Sequence, residues 1–266
     1  MNIFRTTEEI TALGEFITNN SLVKGDCLEV MNYIKPKSID LICADLPYKM
    51  THAKWDIPIP FPELWEHYNR IIKDNGTILL FGKVPFSILV GNSNLKMLKE
   101  ELIWEKTQAS GYFNAKRQHM GAHESIMRFA LNPGTYNPQK TTGHKPINSY
   151  TKRADVCNKT EVYGKVKEDI SGGGETDRYP RSVLKFASDK QKTKLDGTIH
   201  PTQKPLALIE YFIKTYTNEG DLCLDNVCGS GTLGLAAHNT KRNYIMIEKE
   251  QEWFDVTIKR INLYAK

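Results

Sequence analysis

Two stretches, one near each end of the chain, alternate short apolar runs with helically spaced segments. The runs Ile39–Ala44 (IDLICA) and Tyr244–Glu248 (YIMIE) are apolar on both faces and become polar chiefly where they end. A strand of that kind has helices above and below it. It belongs in a parallel sheet, because a sheet with one face in water alternates apolar and polar side chains. Residues 20–48 read as a strand ending at Gly25-Asp26, a helix to about Ile34 and the strand Ile39–Ala44. Near the other end come a helix over Leu206–Tyr216, a strand over Leu222–Asp225, a turn over Asn226–Gly231, a helix to about Asn239 and the strand Tyr244–Glu248. Between them, Leu64, Trp65, Tyr68, Ile71 and Ile72 space a helix over Phe61–Ile72 that Asp74-Asn75-Gly76 ends. Thr77–Phe81, Leu102–Trp104 and Ile126–Leu131 read as strands, and Ser87–Leu98 as a weaker helix. A βαβ unit at each end predicts a doubly wound, mostly parallel α/β sheet.

From Asn132 to Gly197 this alternation gives way to proline, glycine, asparagine and lysine, including Ser171-Gly172-Gly173-Gly174. The 266 residues therefore divide into two halves of one core, 1–110 and 198–266, around an irregular insertion at 111–197 that still contributes core strands at 123–131. Charge follows the same division. The chain carries a formal +5, yet 17 Lys and Arg face 10 Asp and Glu between Glu105 and Gly197, which leaves the remainder slightly acidic. On its own, such an excess fits a solvated surface as well as a nucleic-acid contact.

Cys228-Gly229-Ser230-Gly231-Thr232-Leu233-Gly234 places G-x-G-x-x-G between a strand and a helix, with Glu248 closing the next strand. Glycines there let the backbone turn sharply and come close to a ligand. Glu248 is placed to accept hydrogen bonds from ribose hydroxyls, which suits any adenosine-containing cofactor, a nicotinamide one included. Asp225 before the turn would repel a pyrophosphate and attract a cationic group such as an amino acid ammonium.

Asp45-Leu46-Pro47-Tyr48 directly follows the strand Ile39–Ala44, at the end of a strand where open α/β sheets hold their ligands. A proline turn with a packed tyrosine accounts for the four residues, and so does chemistry on an exocyclic base amine. That amine is a poor nucleophile while its lone pair is delocalised into the ring. Acceptors aimed at its hydrogens favour the localised form: Asp45 supplies one and the carbonyl of Leu46 another, with Pro47 stiffening the turn. Tyr48 offers a face on which a base rotated out of its stack can rest.

With D-L-P-Y upstream, H-P-T-Q-K-P (His200–Pro205) in the last third, and L-D-N-V-C-G-S-G-T followed by Y-I-M-I-E, the chain resembles the amino-group DNA methyltransferases in the beta arrangement, where the catalytic motif precedes the cofactor motif. Lys24-Gly25-Asp26-Cys27, Trp104-Glu105-Lys106, His123-Glu124 and Tyr136-Asn137-Pro138-Gln139 extend the likeness over most of the chain. The resemblance implies a Rossmann-like methyltransferase fold with S-adenosylmethionine as cofactor. It implies Asp45, Leu46, Pro47 and Tyr48 for catalysis, and Asp26 with Cys27 near the cofactor adenine. It puts Glu248 on the ribose, Asp225, Cys228, Gly229 and Gly231 around the methionine part, and Thr202 and Lys204 near the cofactor carboxylate. Leu46 replaces the family's usual proline, and Asn226 and Val227 replace its proline and phenylalanine before the glycines. The half 1–110 becomes the catalytic half, 198–266 the cofactor half and 111–197 the target-recognition insertion. His123-Glu124 resembles an acid–base pair but reads here as a pair that orders local structure.

An acid first in the tetrapeptide resembles the adenine-N6 members, and serine there the cytosine-N4 ones. Attack on cytosine C5 would need a thiolate, usually in a Pro-Cys pair. Cys27, Cys43, Cys157, Cys223 and Cys228 follow Asp26, Ile42, Val156, Leu222 and Val227. Lys116, Arg117, Lys140, Lys145, Lys152 and Arg153 are the expected phosphate contacts on duplex DNA, and Gln118, His119, Asn137 and Gln139 the expected readers of base edges. Binding should then weaken steeply with salt. A nicotinamide oxidoreductase, a catalytically silent DNA-binding module and a protein or RNA methylase are the alternatives. The first of these leaves D-L-P-Y and the basic middle unexplained. The activated sulfonium needs no metal, the resemblance allows a homodimer, and the start MNIFRTTEEITALG reads as a cytoplasmic protein's rather than a signal peptide.

Overall fold

The computed structural model describes residues 1–12, 14, 16–49, 56–157, 167–189 and 203–264. Its elements, in chain order, begin with β1 (Asn2–Phe4), α1 (Thr7–Ala12), β2 (Ser21–Lys24), α2 (Cys27–Val30), β3 (Ile39–Ala44), α3 (Phe61–Ile71), β4 (Ile72–Gly82) and α4 (Phe86–Ser93). They continue with β5 (Leu98–Ser110), β6 (Gly121–Phe129), β7 (Tyr150–Lys152), α5 (Ala154–Cys157), β8 (Ile170–Gly172) and β9 (Val183–Phe186). The last third holds α6 (Leu206–Tyr216), β10 (Leu222–Asp225), α7 (Thr232–Asn239), β11 (Asn243–Glu248) and α8 (Gln251–Tyr264).

Nine strands form one sheet in the order β1-β2-β11-β10-β3-β4-β6-β5-β9, and only β6 runs against the others. The apolar runs explain this arrangement. Within β3 and β10, Ile42 and Leu224 point into one buried layer while Leu41 and Cys223 point into the other, so both faces must be covered. Leu64, Tyr68 and Ile71 of α3 cover the first face, and Phe212, Ala236 and Phe254 of α6, α7 and α8 cover the second. Helix α3 begins at a proline-rich turn, with Pro60 as N-cap and Pro62 in its first turn, where a missing N–H costs nothing. Among the described residues no helix is long and apolar enough to cross a membrane.

The doubly wound sheet follows the sequence pattern, with four local differences. Strand β4 starts at Ile72, directly after α3, because Ile39 pairs with Ile72 and Leu41 with Thr77; Asp74-Asn75-Gly76 is absorbed as an irregularity within the strand. The helix expected to run to Ile34 stops at Val30 and tightens into a 3₁₀ turn over Met31–Tyr33. Helix α4 ends at Ser93, so Leu98 opens β5 instead of closing a helix. Strand β1, helix α1 and the edge strand β9 are too short to carry a clear pattern, while α8, a helix of 14 residues, has no counterpart among the elements expected from the sequence.

Pro138–Arg181 forms a compact unit of its own, narrower than the insertion drawn at 111–197. Residues 121–129 and 183–186 lie instead in the main sheet. Within the small unit β7 and β8 pair antiparallel, and Thr141 and Arg178 exchange backbone hydrogen bonds at 3.0 and 2.8 Å.

Candidate active site

Four neighbouring strands of the main sheet each deliver a carboxylate to the same edge. Asp26 follows β2, Glu248 ends β11, Asp225 ends β10 and Asp45 follows β3. The chain winds away in opposite directions from β10 and β3, so this is the sheet's switch point, where a crevice opens. All four acids line one cavity of about 540 Å³.

On the glycine side, Gly229 and Gly231 hold φ of +51° and +74°, a left-handed backbone that favours glycine. A β-carbon on Gly231 would lie 2.5 Å from Cγ2 of Thr257, whose hydroxyl donates to the Gly229 carbonyl at 2.7 Å. Arg260 ties the turn to the preceding motif, donating to the Ser230 carbonyl at 3.1 Å and to Gln203 at 3.2 Å. Glu248 accepts from the Gly229 amide at 2.8 Å and the Glu250 amide at 2.7 Å, one on each oxygen, so each oxygen keeps a second lone pair. Asp26 caps α2 through the Leu28 amide at 3.0 Å and pairs with Lys249 at 3.0 Å. Asn226, where the resemblance leads one to expect proline, accepts from the Tyr68 hydroxyl at 2.7 Å and anchors the turn to α3. Burial pushes the Cys27 thiol up to about 11, and raises Cys228 as well, so both are neutral wall residues at neutral pH.

Burial also pushes Asp225 up to about 8 and Glu248 up to about 7. Both carboxyls hold protons in the folded chain at pH values where the unfolded chain has lost them. The folded state therefore binds more protons between about pH 4 and pH 8, and stability falls as pH rises through that window. The ligand-free protein is expected to melt at progressively lower temperature from pH 5 to pH 8.5, and Asp225→Asn to flatten that slope. A melting temperature independent of pH in both proteins would refute the assignment.

On the catalytic side, Asp45 belongs to an alternating charge chain centred on Lys204. Tyr48 donates its hydroxyl to Oδ1 of Asp45, and Lys204 Nζ contacts Oδ2. Lys204 also lies 3.3 Å from Glu124 on β6, and Glu124 accepts from Lys106 on β5. Burial pushes the Asp45 carboxyl up, opposed by Lys204. Burial would raise Glu124 too, but Lys204 and Lys106 outweigh it and hold that carboxyl below its usual range. Lys204 is itself buried, which would lower it, yet its two acids keep it above the usual lysine range. Phe86 stacks on Tyr48 with ring centroids 4.6 Å apart, fixing the ring at the cavity wall.

Asp26, Cys27, Asp45, Leu46, Pro47, Tyr48, Lys204, Asp225, Cys228, Gly229 and Glu248 all line this cavity. Thr202 lies outside the described residues. Lys204, expected beside a cofactor carboxylate, lines the cavity and bridges Asp45 and Glu124. Glu124, read from the sequence only as ordering local structure, joins the site: β6 runs antiparallel to β4, so its first half reaches the same edge as the end of β3. Lys116 and Arg117 are exposed on the β5–β6 connection. Lys140, Lys145, Lys152 and Arg153 belong to the small unit, where Lys140 pairs with Asp177 at 2.8 Å and Lys152 lies over the Tyr150 ring.

A carboxylate-edged, glycine-turned cavity of this size beside an Asp-Leu-Pro-Tyr turn defines an α/β enzyme that binds a nucleoside-like ligand next to a polar reaction site. A DNA methylase family model matches residues 39–259, and the chain belongs to that N6/N4 amino-group methylase family. It is 30% identical over 271 residues to the type II methyltransferase M.HinfI of Haemophilus influenzae, covering 91% of this chain and 68% of that enzyme. Identity to M.HpaI of Haemophilus parainfluenzae is 25% over 258 residues, covering 91% and 74%. Among solved structures, the fold is similar to the M1.HpyAVI–SAM complex (TM-score 0.62, 24% identity, 91% of this chain and 98% of that one). It is also similar to the cytosine-N4-specific PvuII DNA methyltransferase (TM-score 0.65, 17% identity, 92% and 87%).

Proposed function

We propose that the protein transfers the methyl group of S-adenosylmethionine to the N6 amine of an adenine rotated out of duplex DNA. The observation that carries this reading is the placement of Asp45 and Tyr48 directly after the strand that neighbours the one ending in Asp225, in one cavity with Glu248 and the glycine turn. The donor set fits the cofactor. Asp225 is a half-buried acid on the cavity wall that accepts from the Val227 amide at 3.1 Å, well placed for an ammonium. Glu248 has lone pairs left for ribose hydroxyls, and Gly229 and Ser230 of the glycine turn line the same cavity. When bound, S-adenosylmethionine supplies an activated methyl on a sulfonium.

The chain's own residues do the rest. Asp45 has one acceptor site left on each oxygen beyond Tyr48 and Lys204, enough to take an amino hydrogen. The Leu46 carbonyl is the second acceptor, and together they localise the amine lone pair. Tyr48, backed by Phe86, is the platform for the base.

The acid at position 45 favours adenine N6. Cytosine N4 is the second reading, favoured by the likeness to the PvuII enzyme's fold. Nucleoside analysis of DNA from expressing cells decides between them: N6-methyladenine above background is expected, and N4-methylcytosine alone would reverse the choice. Saturable binding of NAD without S-adenosylhomocysteine binding would end the methyltransferase reading altogether.

A further inference from the structure

The β5–β6 hairpin carries Glu124 at one level and an aromatic tip well beyond it. Trp104 lies opposite Glu124, and β5 continues to Ser110, past the edge where the four carboxylates gather. Ser110 pairs with Gly121, three residues along β6 from Glu124, so at about 3.3 Å per residue the paired strands reach roughly 10 Å beyond Glu124, enough to enter a groove about 8.5 Å deep. At the end, Gly111 turns with φ +90° into a 3₁₀ turn over Tyr112–Asn114.

The tip is built, not loose. Asn114 N donates to Gly111 O at 3.0 Å, Ala115 N to Tyr112 O at 3.0 Å and Arg117 N to Asn114 O at 2.8 Å. On this frame Tyr112 is 77% exposed and Phe113 is 101% exposed. The two rings touch each other edge-on, with centroids 6.4 Å apart. Two adjacent large rings held in water need a partner, and the charge around them says which. Lys116 and Arg117 are exposed beside them, and no Asp or Glu occurs between Lys106 and Glu124. Cations match phosphates, and ring faces match base faces.

We propose that Phe113, with Tyr112 beside it, is a wedge that enters duplex DNA at the target step and fills the gap left by the rotated base. Lys116 and Arg117 hold the flanking phosphates. This rests on the methyltransferase reading for its substrate, and its test is arranged so that the two can fail separately.

The test compares the full chain with Phe113→Ala and with the Tyr112→Ala/Phe113→Ala double variant, on duplexes whose target base is paired, mispaired or opposite an abasic site. On the paired duplex kcat/KM should fall about tenfold to a hundredfold, the range for loss of stacked aromatic rings. On the mispaired duplex, where unpairing is already done, it should change less than about threefold. The fluorescence rise of 2-aminopurine at the target position should shrink in parallel. S-adenosylhomocysteine affinity and melting temperature should not move, since the rings cover no part of the core. An equal loss on paired and mispaired duplexes, or no loss on either, overturns the wedge. If the unaltered chain methylates no DNA, the functional reading fails by itself. The wedge is then decided by binding, where the unaltered chain should prefer the duplex with an abasic site opposite the target base and Phe113→Ala should lose that preference; equal preference in both refutes it.

Discussion

Asp45→Ala should lower kcat by at least about a thousandfold while leaving S-adenosylhomocysteine and duplex DNA affinities within a few-fold. The carboxylate acts on the amine as it becomes nucleophilic, so its contribution is larger in the transition state than in binding. Asp45→Asn keeps one oxygen acceptor at the same place and should lose less. The change is not neutral to the surroundings, because Tyr48 loses the acceptor of its hydroxyl and Lys204 loses one of its two carboxylate partners, keeping Glu124 and the Phe81 ring. Melting temperature must therefore be measured beside the rates. A variant that is folded, binds both ligands and still turns over at the normal rate would show that the acid has been misplaced.

Lys204→Met should be the most destabilising single change in the site. The ammonium is buried between two carboxylates, and removing it leaves Asp45 and Glu124 facing each other with only Lys106 and Tyr48 for compensation. Breaking a buried ion pair from one side costs about 3–5 kcal/mol, roughly 10 °C in melting temperature for a chain of this size. The sign of the pH dependence separates this from simple loss of packing. Without the lysine both carboxyls rise, so the folded state holds protons that the unfolded state has lost. The deficit should be small near pH 5 and grow as pH increases. In activity, the acidic limb of the kcat/KM profile should move to higher pH, and Lys204→Arg should recover part of both effects. A loss of stability that is the same at pH 5 and pH 8 would show that the charge chain contributes nothing.

Much of this site was legible before any coordinates, because its residues sit at the ends of strands with unmistakable patterns. Ile39–Ala44 and Leu222–Asp225 are apolar on both faces, so the polar residues that follow them had to lie at a sheet edge. The Gly229–Gly231 turn announced itself by residue type, since its backbone angles favour glycine. Lys204 and Glu124 were harder. Asp45 and Lys204 are 159 positions apart, and what joins them is the strand order and the reversed direction of β6, neither of which leaves a local signature. The His123-Glu124 pair was visible as a motif, but its level in the sheet depends on register with Trp104 and Gly82. Strand β9 escaped for a different reason: it has four residues at the sheet margin, and only Leu184 of them is buried. Edge strands carry half the apolar signal of central ones.

Strands β10 and β11 are made after β2 and β3, with β4 to β9 between them in the chain, yet in the sheet they lie between β2 and β3. Until residues 222–248 are made, β2 and β3 have no strand between them and each keeps an open edge. The nascent protein thus carries two sticky, unpaired borders while β4 to β9 are made and closes them only once β10 and β11 emerge, an order that favours slow maturation and a need for chaperone cover during translation.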